Sequence, residues 1–501
     1  MHPQPLETLL AGVEGVGFGD WRRVAVSAIA LDSRRVEPGT LFVALAGQHR
    51  HGRQFLEEAK ARGATAVLLD RRDWQAGLRS PLPGFAAARP REAVAVAASR
   101  LFGEPARDLE LVGVTGTNGK TTVVYLVAQI LEAAGRRPAY WSTAEVRGGQ
   151  TTFRPLMTTP EAPDLHRFLA EVRERGGREV ILEVSSHALR LGRVHTLDFR
   201  AGVVTNLSPD HLDFHADFAD YREAKRLLVS GLDSNALAVL NQDDPEVWGF
   251  RATTRARVVG YGLGPEAEVG AEEVAAGGEG SRFRLVFRGE WARRAGVRSL
   301  AVALPLPGRH NVYNALAAAA VALHWGVEAE GVRQALERAR PPVRRLERFD
   351  LGPFTVVNDV AMNRASYDAV METMRRWQRP LVVVNALRGN RGEAVNREIA
   401  ETLARWNQML HFSPLILSLS EGHVAALPAD YRVRPAELKA FLESAADSGL
   451  TVECYQELPD AIARGVDRLV PGGLLLLLGT FGMDDGPALA RAALESRWKG
   501  A

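Results

Sequence analysis

The segment Gly113-Val114-Thr115-Gly116-Thr117-Asn118-Gly119-Lys120-Thr121-Thr122 constrains the fold more than any other part of the chain. It joins a β-rich run at 110–115 to a helical pattern over roughly 119–134. A strand, a glycine-rich turn and a helix in that order form the corner of an α/β sheet. Glycines let the backbone curl until several N–H groups point inward, and the helix start adds the positive end of its dipole. The turn Gly116, Thr117, Asn118, Gly119 and Thr122 is thereby shaped for phosphate. Lys120 would reach the outer phosphates of a nucleotide, and the Thr121 hydroxyl would be a ligand for Mg²⁺. Val114 stands where a strict phosphate-binding loop has its first glycine. The plainer alternative is an ordinary βα turn with a surface lysine. Nucleotide binding alone does not separate a ligase from a kinase or a motor.

Further β-rich runs stand at 179–184, 201–205, 236–240, 355–357, 381–384 and 474–478, and an alanine-rich helical stretch at roughly 310–325. Their alternation predicts an α/β fold. At 501 residues the chain exceeds one core, and roughly 100–200 residues per domain implies about three. Breaks near residue 108, after FGEPARD, and at Pro341-Pro342 divide it into 1–108, 109–341 and 342–501.

Lys plus Arg number 62 against 60 for Asp plus Glu, and a net charge of +2 argues against a nucleic-acid partner. Cys454 is the only cysteine, which allows no internal disulfide and no thiolate metal cluster and suits a reducing cytosol. The first residues, MHPQPLETLLAGVEG, lack the basic start and apolar stretch of a secretory signal. The apolar run at 474–478 is far shorter than the roughly 20 residues that cross a bilayer. It reads as a buried parallel strand. The expectation is a cytoplasmic protein without membrane insertion.

Two other segments carry candidate metal ligands after strands. Glu183 ends EVILEV and leads into Ser185-Ser186-His187, at the edge where open α/β sheets bind ligands. It would hold Mg²⁺ directly or through water; taken alone, it reads equally as a solvated strand end. In TNLSPDHLDFH at 205–215, Asp210, His211, Asp213 and His215 fall within six residues. Such a group suits a cation or phosphate, with Mn²⁺ as well as Mg²⁺ open where histidine takes part. A helix cap with solvated histidines is the alternative. Lys225, in a helical pattern, is by itself an ordinary surface lysine.

Together, TGTNGKTT at 115–122, LEVSSHAL at 182–189, TNLSPDHLDFH at 205–215 and the Ala224-Lys225 pair resemble the Mur ligase family. The SSHAL and DHLDFH forms are similar to its MurE-type branch. Asp32-Ser33-Arg34, PGTLFVAL at 38–45, TTPEAPDL at 158–165, NQDDP at 241–245 and GRHNVYNALAA at 308–318 extend the resemblance over about 25–350. It implies an N-terminal UDP-sugar domain, a central ATPase and a C-terminal Rossmann-like domain. The implied activity is ATP-dependent ligation of an amino acid to UDP-N-acetylmuramoyl-L-Ala-D-Glu through an acyl phosphate, in peptidoglycan precursor synthesis, by a monomer. By the same resemblance Thr121, Glu183 and His211 would arrange two Mg²⁺ ions, and Lys225 would become carbamylated and serve the second. Asn311 would face adenine; Arg345 would serve the phosphates, with Asp359 beside it. Ser33 would contact uridine, and Thr158, Thr159, Ser185 and Arg193 the muramoyl peptide.

The last third departs from the family. Asp359-Val360-Ala361-Met362-Asn363-Arg364-Ala365 stands for DYAHTPD, and Met362 cannot replace a histidine's polar contacts. Leu417-Ser418-Leu419-Ser420-Glu421-Gly422-His423 stands where DNPR is usual, and Gly479-Thr480-Phe481-Gly482-Met483-Asp484 for GKGHE. Arg50-His51-Gly52 holds a position where Asp-Gly is usual. A diaminopimelate carboxylate needs an arginine or equivalent donors, so diaminopimelate is not assigned. Arg388, Asn390 and Arg391, after the run at 381–384, are substitutes by placement, with a solvated loop as the other reading. Two alternatives to a MurE-like ligase remain: a paralogue ligating a different acid, and a nucleotide-binding regulatory protein that ligates nothing.

Overall fold

The computed structural model describes residues 2–47, 50–150, 152–412, 414–425, 427 and 431–499. Three sheets of five, ten and six strands organise them, with a short two-stranded ribbon near the start. The run Leu474–Leu478 shows why the sheets form. All five leucines are buried, yet they alternate between two cores. Leu474, Leu476 and Leu478 face one, Leu475 and Leu477 the other. A period of two with both faces covered is the pattern of a parallel strand between helical layers.

The ten-stranded sheet positions the turn. Its central strand, Glu110–Thr115, lies between Glu179–Glu183 and Phe199–Val204, parallel to both. Beyond these lie Ala139–Trp141 on one side and Leu237–Asn241 and Arg257–Gly262 on the other, again parallel. The chain leaves the central strand, runs to one side and returns to the other, so the C-terminal ends of three neighbouring strands open into one crevice. Val269–Ala276 joins Arg257–Gly262 in parallel and continues antiparallel through Ser281–Phe287 and Ser299–Leu304, and the short strand Val146–Arg147, antiparallel to Ala139–Trp141, completes the ten at the other edge. The helix after the turn, Lys120–Ala133, packs against the alanine-rich helix Arg309–His324, which is buried from Ala315 to Leu323.

The six-stranded sheet is parallel except for Glu347–Leu351, and the five-stranded sheet is parallel except where Gly15–Phe18 meets Gly84–Ala87. Among the described residues no helix is long and apolar enough to cross a membrane.

Candidate active site

The turn needs glycine for two reasons. Gly116 and Gly119 have φ of +137° and +89°, where a side chain is strained. A Cβ on Gly116 would also stand 1.8 Å from Thr205 Oγ1. That close approach clasps the 205–215 segment onto the turn. The Thr205 hydroxyl and the Asn206 side-chain amide donate to Asn118 O at 2.6 and 3.0 Å, and the Asn118 N–H donates to Asn206 Oδ1 at 3.0 Å. The Thr117 hydroxyl meets Ser208 O at 3.1 Å and Tyr221 OH at 3.0 Å. Thr121 and Thr122 are buried on the first turn of the helix.

Two amines converge on this turn. Lys120 Nζ donates to Gly116 O and Thr117 O, both at 2.9 Å, and Lys225 Nζ donates to Gly116 O at 2.8 Å. Lys225 is not the surface lysine its local sequence suggests: it is 1% exposed. Burial, and then the charge of Lys120, hold its amine well below the ordinary lysine range. Burial also lowers Lys120, against the pull of Glu183 and Asp210.

Glu183 is equally enclosed, at 1% exposure. Its carboxylate oxygens accept from the Thr143 N–H at 3.0 Å and the Thr143 hydroxyl at 2.9 Å. Among the described residues no basic side chain lies within the 4.0 Å ion-pair distance of this carboxylate. A buried carboxylate held only by Thr143, with Lys120 near but out of direct contact, leaves oxygen lone pairs for a bound cation. His211 follows with φ of +56°, and burial pushes its imidazole down to about 3 although Asp210 opposes the shift. A neutral ring nitrogen is the form that coordinates metal. Among the described residues no three His, Cys, Asp or Glu side chains form a cage for a metal ion.

The cluster at 210–215 does not gather as one group. Asp210 faces the turn, whereas His215 Nδ1 meets Asp220 Oδ2 at 3.1 Å. His187 fills the space between, 4.9 Å from the His211 ring and stacked on Phe214 at 4.0 Å. His215 is buried at 2% exposure, whereas His187 is half-buried and His211 keeps 34% of its side chain exposed.

The six-stranded module closes over the turn. Arg345 Nη2 donates to Thr121 Oγ1 at 3.4 Å and Nη1 to Val360 O at 3.2 Å. Asp359 lies behind, accepting the Leu346 N–H at 2.8 Å, and burial raises its carboxyl to about 6. Asn363 Nδ2 donates to Asp210 Oδ2 at 2.9 Å, while its Oδ1 accepts from Asn118 Nδ2 at 3.3 Å. Arg391 pairs with the same Asp210 at 3.6 Å. Arg388 holds its guanidinium 5.4 and 5.5 Å from the Tyr431 and Phe481 rings, with Nη1 3.9 Å from Met362 Sδ. Among the described residues its Nε has no partner, and burial lowers the guanidinium to about 10. It lines a cavity of about 20 Å³ beside Asn385 Nδ2 and Thr480 Oγ1, two other buried atoms without a hydrogen-bond partner among the described residues.

Four expected substrate residues form one wall next to Glu183. Thr158 Oγ1 lies 3.0 Å from Thr143 Oγ1. The Thr159 hydroxyl donates to Glu183 O at 2.8 Å and accepts the Ser185 N–H at 3.0 Å. Ser185 Oγ caps the next helix by accepting the Ala188 N–H at 3.1 Å. Arg193 donates to Thr159 O at 3.0 Å and pairs with Glu161 at 2.6 Å. Asn311 sits at the helix start behind the turn, its Oδ1 accepting from Asn314, whose own Oδ1 lies 2.5 Å from where a Cβ on Gly119 would be. Ser33 lies apart, in the five-stranded module, donating to Glu58 at 3.2 Å. Thr143 and Asn363 are contacts that sequence reasoning missed. The β-rich triplet 139–141 before Ser142-Thr143 is a faint signal for the first.

A phosphate-shaped turn, a buried carboxylate and two buried amines, covered by a third module, define a multidomain α/β enzyme that handles nucleotide phosphates. Residues 114–322 match the Mur ligase middle domain and residues 25–100 the Mur ligase family catalytic domain. The chain is 35% identical to the UDP-N-acetylmuramoyl-L-alanyl-D-glutamate–2,6-diaminopimelate ligase of Geobacillus kaustophilus, over 98% of this chain and 99% of that one. Identity to the enzyme of the same name in Solibacter usitatus is 40%, over 72% of this chain and 69% of that one. The MurF ligase of Thermotoga maritima in complex with ADP superposes with a TM-score of 0.64 at 18% identity, over 94% of this chain and 98% of that one. The chain belongs to the Mur ligase family. It is an ATP-dependent ligase with that family's three-domain fold.

Proposed function

We propose that this ligase joins an amino acid to UDP-N-acetylmuramoyl-L-Ala-D-Glu, using 1–108 for the UDP-sugar, 109–341 for ATP and 342–501 for the amino acid. The observation that carries the reading is the convergence of Lys120, Lys225 and Glu183 on the mouth of the Gly116 turn. A carboxylate and an ATP γ-phosphate repel each other, so the first step needs positive charge and inward N–H groups where they meet. Lys120 and the turn supply these, and Arg345 adds charge from the opposite module. The D-Glu carboxylate oxygen attacks the γ-phosphorus, giving an acyl phosphate and ADP. The uncharged amine of the amino acid then attacks the acyl carbon: the carbon–nitrogen bond forms, the carbon–oxygen bond to phosphate breaks, phosphate leaves and the nitrogen gives up one proton.

Mg²⁺, two ions in this reading, would be held by Thr121, Glu183, His211 and a carbamylated Lys225, and supplies Lewis-acid neutralisation of phosphate charge. Burial favours the uncharged amine of Lys225, the form that adds CO₂: a nitrogen–carbon bond would form, one proton leave and a carbamate anion result. Thr158, Thr159, Ser185 and Arg193 would hold the muramoyl peptide, Ser33 the uridine, and Asn311 the adenine.

By the family resemblance, the stretch Leu417–His423 stands where diaminopimelate-adding enzymes have DNPR, and there Ser418 Oγ and Ser420 Oγ lie 2.9 Å apart. Arg388, its Nε unpartnered among the described residues, is the donor that would take the amino acid's carboxylate. The enzyme acts as a cytoplasmic monomer in this reading. Phosphate release with single amino acids, diaminopimelate and basic ones included, tests it. Release is expected only when both the UDP-muramoyl dipeptide and one amino acid are present. ATP turnover independent of the dipeptide would overturn the reading. Arg388→Ala should raise the KM for the amino acid about tenfold and leave that for ATP in place.

A further inference from the structure

We infer that Thr143 is the positioning residue that fixes the Glu183 carboxylate for its cation and ties it to Thr158 on the substrate wall. Thr143 contacts both carboxylate oxygens at once, the N–H reaching Oε1 at 3.0 Å and the hydroxyl Oε2 at 2.9 Å. Two donors on two oxygens set the plane of the carboxylate, and each oxygen keeps lone pairs for a metal ion. The same hydroxyl lies 3.0 Å from Thr158 Oγ1. The Thr143 hydroxyl is the donor toward both Glu183 Oε2 and Thr158 Oγ1, so one side chain links the carboxylate to the substrate wall.

The turn that carries Thr143 is itself held firmly. Buried Ser142 accepts the Ala144 and Glu145 N–H groups at 3.2 and 3.0 Å and donates to Glu145 O at 2.9 Å. Glu145 is tied in turn to the Lys120–Ala133 helix through Tyr125, whose hydroxyl donates to it at 2.8 Å. Thr143 thus reports the position of the phosphate-binding helix to a carboxylate on the neighbouring strand. Partners that orient a metal ligand commonly govern affinity by about 10–100-fold when removed.

The inference rests on the reading of Glu183 as a cation ligand in a ligase, and the test separates the two. Mn²⁺ binding is titrated by electron paramagnetic resonance on the full chain with a non-hydrolysable ATP analogue, for wild type, Thr143→Val and Thr143→Ser. Thr143→Val keeps shape but removes the hydroxyl, and should weaken Mn²⁺ binding about tenfold. Thr143→Ser restores the hydroxyl and should bind within about twofold of wild type. Thermal melting of the same samples shows whether the valine variant remains folded. In steady state, Thr143→Val should shift the metal requirement to higher concentration while the KM for the amino acid stays in place. A folded Thr143→Val that binds Mn²⁺ as wild type does would overturn the inference, as would failure of Thr143→Ser to rescue. If wild type binds Mn²⁺ yet releases no phosphate with dipeptide and amino acid, the ligase reading fails while the titration still decides the role of Thr143.

Discussion

Gly116 O accepts hydrogen bonds from Lys120 and Lys225 alike, but the two amines are built for different work. Burial lowers both amines, but at Lys120, which starts a helix, Glu183 and Asp210 oppose the shift, whereas at Lys225 the charge of Lys120 adds to it and only Asp210 opposes. A charged lysine at a phosphate-binding turn acts in the transition state, where charge on the transferring group is shared. Lys120→Ala should lower kcat for phosphate release by about 100-fold or more, with a smaller change in the KM for ATP. Near-normal ATP consumption by that variant would remove the basis of the proposed reaction. The lysine was legible from its place in GKTT. The burial of Lys225 was not, because the helix pattern 221–225 gives no sign of which face meets the turn.

Elements carry the next level of the argument, and the Arg309–His324 helix is the plainest case. Ala315, Ala317, Ala318, Ala319, Ala320 and Ala322 are all fully buried between the sheet and the helix that follows the phosphate turn. Alanine is required there because two helices and a sheet approach closely, and a larger side chain would have to displace one of them. Ala319→Leu should cost about 1–3 kcal/mol, read as a lower unfolding midpoint, and should shift the turn enough to weaken nucleotide binding. An unchanged midpoint would mean the helix has room that its burial denies. Elements of this kind are well written in the chain. The runs at 110–115, 381–384 and 474–478 form strands Glu110–Thr115, Leu381–Ala386 and Leu474–Leu478, since continuous apolar stretches suit parallel strands covered on both faces. What the pattern could not give is contact across modules. Asn118 and Asn363 lie 245 residues apart, and neither has a local feature that foretells the other.

At the scale of the whole molecule, burial around the turn and cores leaves a titration signature. His166, His187 and His310 are each lowered to about 4, and His211 to about 3, with burial as the leading cause in every case. The unfolded chain protonates its histidines near 6.5, which the folded chain resists. Between about 6.5 and 4 the unfolded state therefore binds more protons, so stability falls as pH falls through that window. Asp359 works the other way. Burial raises its carboxyl from 3.8 to about 6, so the folded state holds that proton more tightly and gains stability as pH falls from about 6 to 4. Four histidines outweigh one aspartate, and the unfolding midpoint should drop between about pH 7 and pH 5. His166→Gln tests one contributor away from the phosphate turn, since His166 is 0% exposed and its Nε2 meets Thr196 Oγ1 at 2.8 Å. That variant should lose some stability at neutral pH but show a shallower acid decline, whereas Asp359→Asn should steepen it. A midpoint independent of pH across the window would mean that these imidazoles titrate as exposed ones do.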